Sequence, residues 1–247
     1  MTEPIVRVFP DRASLGYAAA ADIAAQLRER LSYQNSVRMV FAAAPSQQET
    51  LDALVAEVGI DWTRVTAFQM DDYIGLPQEA PQRFGQWLRQ AIFDRVPFKE
   101  VHLMRTDGDP GRRAREYADL LAAEPIDLVC LGIGVNGHIA FNDPPVADFA
   151  DPEAVKVVEL DDTCRQQQVD DGCFPTFDDV PPRALTLTVP RLLQADHLFC
   201  VVPGRAKAEA VRRTLNDPIG EACPATALRT HPSCVLYLDQ DSAGALD

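Results

Sequence analysis

The chain reads as an α/β fold with a largely parallel sheet. Helix-spaced and strand-like apolar segments alternate along its whole length, which in one sheet calls for helical crossovers. No internal repeat and no Pro/Gly/Ser linker divides the 247 residues, so a single domain over 1–247 is expected. Hydrophobic residues make up 47% and charged residues 24%, a balance that excludes a disordered chain.

The elements follow in order. Leu15, Ala19, Ile23, Leu27 and Leu31 recur every four residues, an amphipathic helix over 12–31. The run from Arg38 to Ala44 is a short buried strand, and residues 47–57 return to helical spacing. Val65 to Met70 is the next strand, followed by a helix over 82–95, a weak strand over 101–104 and a helix over 111–123. Residues 126–132 form the clearest core strand. Later strands are expected at 184–189, 197–203 and 234–238, with a helix at 205–215. The Pro- and Asp-rich stretch 144–182 reads as an irregular excursion over the end of the sheet, either a lid or a plain surface insertion.

Charge narrows the function classes. A net charge of −14 argues against a nucleic-acid binder, which needs a basic face. An anionic substrate then needs a local positive site built from helix N-termini and a few cations. The longest apolar runs are too short for a membrane helix, and the first residues lack a secretory pattern, so a cytoplasmic protein is expected. The six cysteines are scattered without a C-x-x-C pair and read as free thiols in a reducing compartment, with no metal cluster.

In open α/β sheets ligands sit beyond the carboxyl ends of the strands, so the candidate chemistry belongs at the strand exits. After the first buried strand stand Ala43, Ala44, Pro45, Ser46 and Gln47. Ser46 with Glu49 spells a capping box, and such a helix start faces the ligand with free N–H groups. After the next strand come Asp71 and Asp72; like charges and partial burial raise one carboxyl group's proton affinity, which makes a base. The third exit is Gly-rich, from Gly132 through Gly137 to His138, with Asn136 and Asp143 close by. An imidazole with a polar orienting partner suits a proton shuttle. The fourth exit runs from Gly204 to Lys207, a candidate anion ligand. Each motif also has a structural reading: a cap, a solvated turn, a core histidine, a surface lysine. Together the helix starts and lysine suggest a phosphate, and the acids and histidine suggest proton transfer.

The stretches Phe68–Pro77 and Gly134–Pro144 resemble the two signatures of the glucosamine-6-phosphate deaminases, which group with the 6-phosphogluconolactonases. The likeness runs from about residue 38 to 239. Phe141-Asn142-Asp143-Pro144 favours the deaminase branch over the lactonase branch. The resemblance implies a Rossmann-like three-layer α/β/α fold and conversion of glucosamine 6-phosphate, or a close amino-sugar 6-phosphate, and water to fructose 6-phosphate and ammonia. It implies no metal or organic cofactor; charge and the short apolar runs already argue against a nucleic-acid or membrane partner. By position, Asp71 is the base between C2 and C1, and His138 opens the sugar ring. Asn136 and Asp143 orient or charge-balance His138, and Asp72 holds the loop or contacts the sugar. Ala43, Ala44, Ser46, Gln47, Gly137, Arg165 and Lys207 complete the expected substrate contacts, with phosphate on Lys207 and the N–H groups around Ser46.

The sequence also departs from the family pattern. Pro45 stands where a glycine is usual, which removes a backbone donor. The family's phosphate-binding arginine is not recognisable, and Arg165 is the substitute this segment offers. A lactonase-type hydrolase and a non-catalytic sugar-phosphate sensor remain the alternatives. A homo-oligomer is compatible with the sequence but not specified by it.

Overall fold

A computed structural model describes residues 4–246. The elements are β1 (Ile5–Phe9), α1 (Arg12–Tyr33), β2 (Val37–Phe41), α2 (Gln48–Ala56), β3 (Val65–Gln69), β4 (Asp71–Tyr73), α3 (Phe84–Leu88), β5 (Glu100–His102), α4 (Pro110–Ala122) and β6 (Leu128–Leu131). They continue with β7 (Val155–Glu159), α5 (Asp162–Asp170), β8 (Arg183–Leu187), α6 (Val189–Leu193), β9 (His197–Val202), α7 (Ala208–Asn216), β10 (Cys234–Asp239) and α8 (Gln240–Ala243).

A seven-stranded parallel sheet in the order β1-β10-β9-β6-β2-β3-β5 forms the middle layer. The alternation of strand side chains builds a core on each face. Met39, Phe41, Leu128 and Cys130 point to the side of α1 and α2, where Leu27, Leu51 and Leu54 pack. Val40, Val129 and Leu131 point to the side of α4, α6 and α7, against Tyr117, Leu192 and Val211. The expected three layers and parallel sheet are therefore present.

From β2 the sheet grows outward through β3 and β5, and from β6 it grows the other way through β9, β10 and β1. The reversal falls between β2 and β6, and a crevice opens at such a switch point. The four exits singled out in the sequence follow β9, β6, β2 and β3, which are consecutive neighbours in the sheet. At ~4.8 Å per strand they span roughly 14 Å, the scale of one sugar phosphate.

Several elements differ from the sequence reading. The edge strand β1 was not expected; Ile5, Val6 and Val8 are exposed and carry no buried-strand signal. The helix expected over 82–95 is α3, which widens into a π-helical turn at Arg89–Phe93. The stretch 144–182 is not irregular throughout. It holds β7 and α5, and β7 joins β8 and β4 in a small antiparallel sheet. Helix α5 was hidden because its residues are almost all polar. Its start is nonetheless marked by Asp161, whose side chain accepts from the Thr163 N–H.

Candidate active site

A single cleft opens over the strand exits. Asp71, Ser46, Gln47, His138 and Lys207 line it, together with Gln167, Gln168 and Asp171 of the α5 region. Residues far apart in sequence thus meet in one place.

Asp71 owes its position to a change of sheet. The chain leaves β3 at Met70, whose N–H bonds to Phe41 O and whose carbonyl accepts from the Leu187 N–H. It then enters β4, where Asp71 pairs in register with Thr186. Successive side chains on a strand face opposite ways. Asp71 therefore turns to the cleft and Asp72 turns away. Among the described residues the Asp71 carboxylate accepts no hydrogen bond within the chain. Burial, with the neighbouring Asp72 adding negative charge, pushes its pKa well up. A carboxyl group in that condition holds a proton readily and can take one from carbon and return it.

Asp72 does not reach the cleft, which corrects the expectation of a sugar contact. It is buried behind β4 and accepts from Arg83 Nη2 at 3.0 Å, from Gln69 Nε2 at 3.1 Å and from the Tyr73 N–H at 2.9 Å. It holds the loop.

His138 sits on a backbone that only glycines allow. A Cβ on Gly134 would lie 2.1 Å from the imidazole, so the ring packs flat on that glycine. Gly137 has φ +88° and lies against Cys223 rather than in the cleft, so it shapes the loop instead of contacting substrate. The ring Nδ1 lies 2.8 Å from Asn136 Oδ1 and 3.0 Å from Asp143 Oδ1. Asn136 in turn donates to Asp143 Oδ1 at 3.0 Å, and the Asp161 N–H donates to the other oxygen at 3.1 Å. Burial opposes ionisation of Asp143, but the bond from His138, its charge and the donors from Asn136 and Asp161 outweigh it. The net pKa lies below the ordinary carboxylate value. Asp143 thus stays charged and faces Nδ1, and Nε2 is the ring nitrogen without a hydrogen-bond partner among the described residues. Tyr73, Phe84, Phe141 and Phe174 pack in contact behind this loop and give the cleft an apolar floor.

Two matching strand exits also line the cleft. Pro45–Gln47 and Arg205–Lys207 are both 3-10 turns that run straight into helices, α2 and α7. The first N–H groups of each helix are left without intrahelical partners. The capping box does not form: Ser46 makes no cap bond, and Glu49 pairs with Arg12 at 2.9 Å instead. Gln47 spends its amide on the Val201 carbonyl at 3.2 Å, while Ala43 and Ala44 line the cleft with small side chains. Lys207 is buried, and its ammonium makes no hydrogen bond or ion pair among the described residues. Burial lowers its pKa to about 8, against partial support from Asp171.

Arg165 does not supply the missing cation. Its guanidinium donates to the Val180 and Phe177 carbonyls, lies over the Phe177 ring at 4.0 Å and stays out of the cleft. Conversely, the sequence reading missed Gln167, Gln168 and Asp171. With Cys164 they fall at helical spacing, the one signal that could have found them. The Cys164 thiol, an Asp143 oxygen and a His138 nitrogen lie within 4.8 Å of one another, the one such grouping among the described residues able to hold a metal ion. Burial, with Asp143 and Asp71 adding negative charge, pushes that thiol well up, and a protonated thiol is a poor metal ligand. No helix among the described residues is long and apolar enough to cross a membrane.

Fold and site define a class: an α/β protein equipped for proton transfer on a small anionic ligand at the switch point of its sheet. Residues 10–236 match the model of the glucosamine-6-phosphate isomerase/6-phosphogluconolactonase family. A glucosamine-6-phosphate deaminase of Bacillus thuringiensis is 36% identical over 184 residues, which covers 74% of this chain and 68% of that protein. Among solved structures, a monomeric glucosamine-6-phosphate deaminase superposes with a TM-score of 0.90 at 26% identity, over 98% of this chain and 99% of the other. The 6-phosphogluconolactonase of Trypanosoma brucei shares the fold, with a TM-score of 0.82 at 20% identity over the full length of both chains. The chain belongs to the glucosamine-6-phosphate isomerase/6-phosphogluconolactonase family.

Proposed function

We propose that the protein is an isomerising deaminase that converts glucosamine 6-phosphate and water to fructose 6-phosphate and ammonia. The observation that carries this reading is the shared cleft: Asp71, His138, Lys207 and the Ser46 turn all line one cavity. The similarity to deaminases in sequence and structure supports it.

The chemistry follows from the groups present. Lys207 and the helix start at Ser46 hold the phosphate. His138 Nε2 moves a proton at the ring oxygen, which opens the pyranose to the C1 aldehyde. Asp71 takes the proton from C2 and delivers it to C1, passing through an enolamine. The resulting imine at C2 adds water and releases ammonia, leaving the ketose. The apolar floor limits water during the proton transfer. A lactone hydrolase has no use for a carbon base such as Asp71, which favours the deaminase over the lactonase. The free, unpaired cysteines suit a reducing cytoplasm, and residues 144–182, which carry the α5 wall, act as the lid.

Incubation with glucosamine 6-phosphate should release ammonia and fructose 6-phosphate in equal amounts. No ammonia from any amino-sugar phosphate rules the proposal out, and hydrolysis of 6-phosphogluconolactone in its place identifies a lactonase.

A further inference from the structure

Gln167 and Gln168 are neighbours on α5, equally buried, and both line the cleft. Gln167 is spent on the fold: its Oε1 accepts from the Val135 N–H at 2.9 Å and its Nε2 donates to Asp171 at 3.1 Å. That pair of bonds ties α5 to the His138 loop. Gln168 is 93% buried, since its relative exposure is 7%, yet among the described residues its side-chain amide has no hydrogen-bond partner. The amide is not sealed in the core: Gln168 borders the substrate cavity, where its donor and acceptor are open to an incoming ligand.

The chemistry of the amide says which part of the ligand. A phosphate offers acceptors only, and Lys207 with the Ser46 turn already meets it with donors. Asp71 and His138 serve the reacting end. A carboxamide presents a donor and an acceptor side by side, which matches a hydroxyl or a vicinal diol, since each hydroxyl both gives and accepts. On a hexose phosphate the hydroxyls at C3 and C4 lie between the phosphate end and the reacting carbons. We infer that Gln168 is a specificity-determining residue that reads the C3/C4 hydroxyls of the substrate and sets the preference between sugars epimeric at C4. This deepens the deaminase reading and rests on it.

A site built to hydrogen-bond a hydroxyl discriminates strongly against a substrate that leaves it unpaired. The test compares glucosamine 6-phosphate with galactosamine 6-phosphate in wild type, Gln168→Leu and Gln168→Ala, with inorganic phosphate as a competitive probe of the anion end. Both variants should raise KM for the preferred epimer about tenfold with a smaller change in kcat. They should also shrink the wild-type ratio of kcat/KM between epimers at least tenfold, while the inhibition constant of inorganic phosphate stays within about twofold. A parallel rise in the phosphate constant with an unchanged epimer ratio makes Gln168 a phosphate ligand and overturns the inference. Unchanged values throughout make it structural and overturn it equally. If the wild type turns over neither sugar, the deaminase reading fails separately. The dissociation constants of the two sugar phosphates, measured by calorimetry on the same folded variants, then decide the role of Gln168 by the same ratio.

Discussion

Asp71 and Asp72 are adjacent in the chain and opposite in circumstance. Behind β4, Asp72 is held by Arg83, Gln69 and backbone donors, so its charge is fully matched. On the cleft side, Asp71 is buried without a donor to its carboxylate among the described residues, and its proton affinity climbs. The contrast repeats in the wall of the cleft, where among the described residues the Gln167 side chain is bonded and that of Gln168 is not. Strand alternation turns Asp72 into the fold and Asp71 to the cleft; Gln167 and Gln168 both border the cleft, but only Gln167 is tied to the surrounding chain. The paired member stabilises the structure. The unpaired member costs stability and is kept because a ligand completes it.

The sharpest way to break the comparison is Asp71→Asn. It removes the base while keeping the shape, so kcat should fall on the order of 10³-fold and exchange of the C2 proton with solvent should stop. Its effect on stability should have the opposite sign. Because the folded pKa is raised, Asp71 contributes stability that is full below the unfolded value near ~3.9 and is lost as pH rises through the folded value. Asparagine avoids that loss. The variant should melt above wild type at pH 8 and converge with it at pH 4; a variant less stable than wild type at pH 8 would mean that Asp71 is a paired residue after all.

Asp72→Ala tests the other side. Both partners of the Asp72–Arg83 pair are buried, and stranding one charge costs about 3–5 kcal/mol. The urea midpoint should drop accordingly, with kcat of the folded fraction far less affected than in Asp71→Asn. Removing the Asp72 charge also lets Asp71 ionise more easily, so the acid limb of the kcat/KM profile should move to lower pH. An immobile acid limb would show that the two carboxylates do not communicate.

How much of this was legible beforehand depends on the kind of signal each residue carried. The parallel sheet was legible because its central strands are apolar runs bounded by polar turns. The Gly-His loop was legible because its glycines and polar residues crowd a strand exit. The small sheet was not: β4 is Asp71-Asp72-Tyr73, three residues with two acids, and only pairing with β8 makes it a strand. Helix α5 was not, since Gln166, Gln167, Gln168 and Asp170 give no apolar period, and only Cys164 and Val169 tie it to the core while its two glutamines border the cavity. Arg165 looked available in sequence because nothing there shows the Phe177 ring and two carbonyls that occupy it. Composition records what a side chain can do; only the fold shows which of its options have been used.

Lys207 extends the comparison to a cation and gives a smaller, pH-dependent effect. It is the counterpart of Arg83 without a partner among the described residues: both are buried, but among those residues only Arg83 of the two is ion-paired. Loss of a charge-assisted contact is worth about 1.5–3 kcal/mol, so Lys207→Ala should raise KM about 10- to 100-fold with a much smaller change in kcat. With its pKa near 8, the free enzyme loses the ammonium as pH rises through that value. Binding of fructose 6-phosphate, which has no amine of its own to titrate, should therefore weaken above pH 8 in wild type, and that inflection should vanish in Lys207→Ala. Stability moves the other way. Between about 8 and the ordinary lysine value of 10.5 the unfolded chain binds the extra proton, so this residue makes wild-type stability rise with pH across that window relative to the alanine variant. Weaker binding and greater stability over the same pH range would arise together only if the lysine is held uncompensated by the fold; a surface lysine, or one with a hidden carboxylate partner, would show neither.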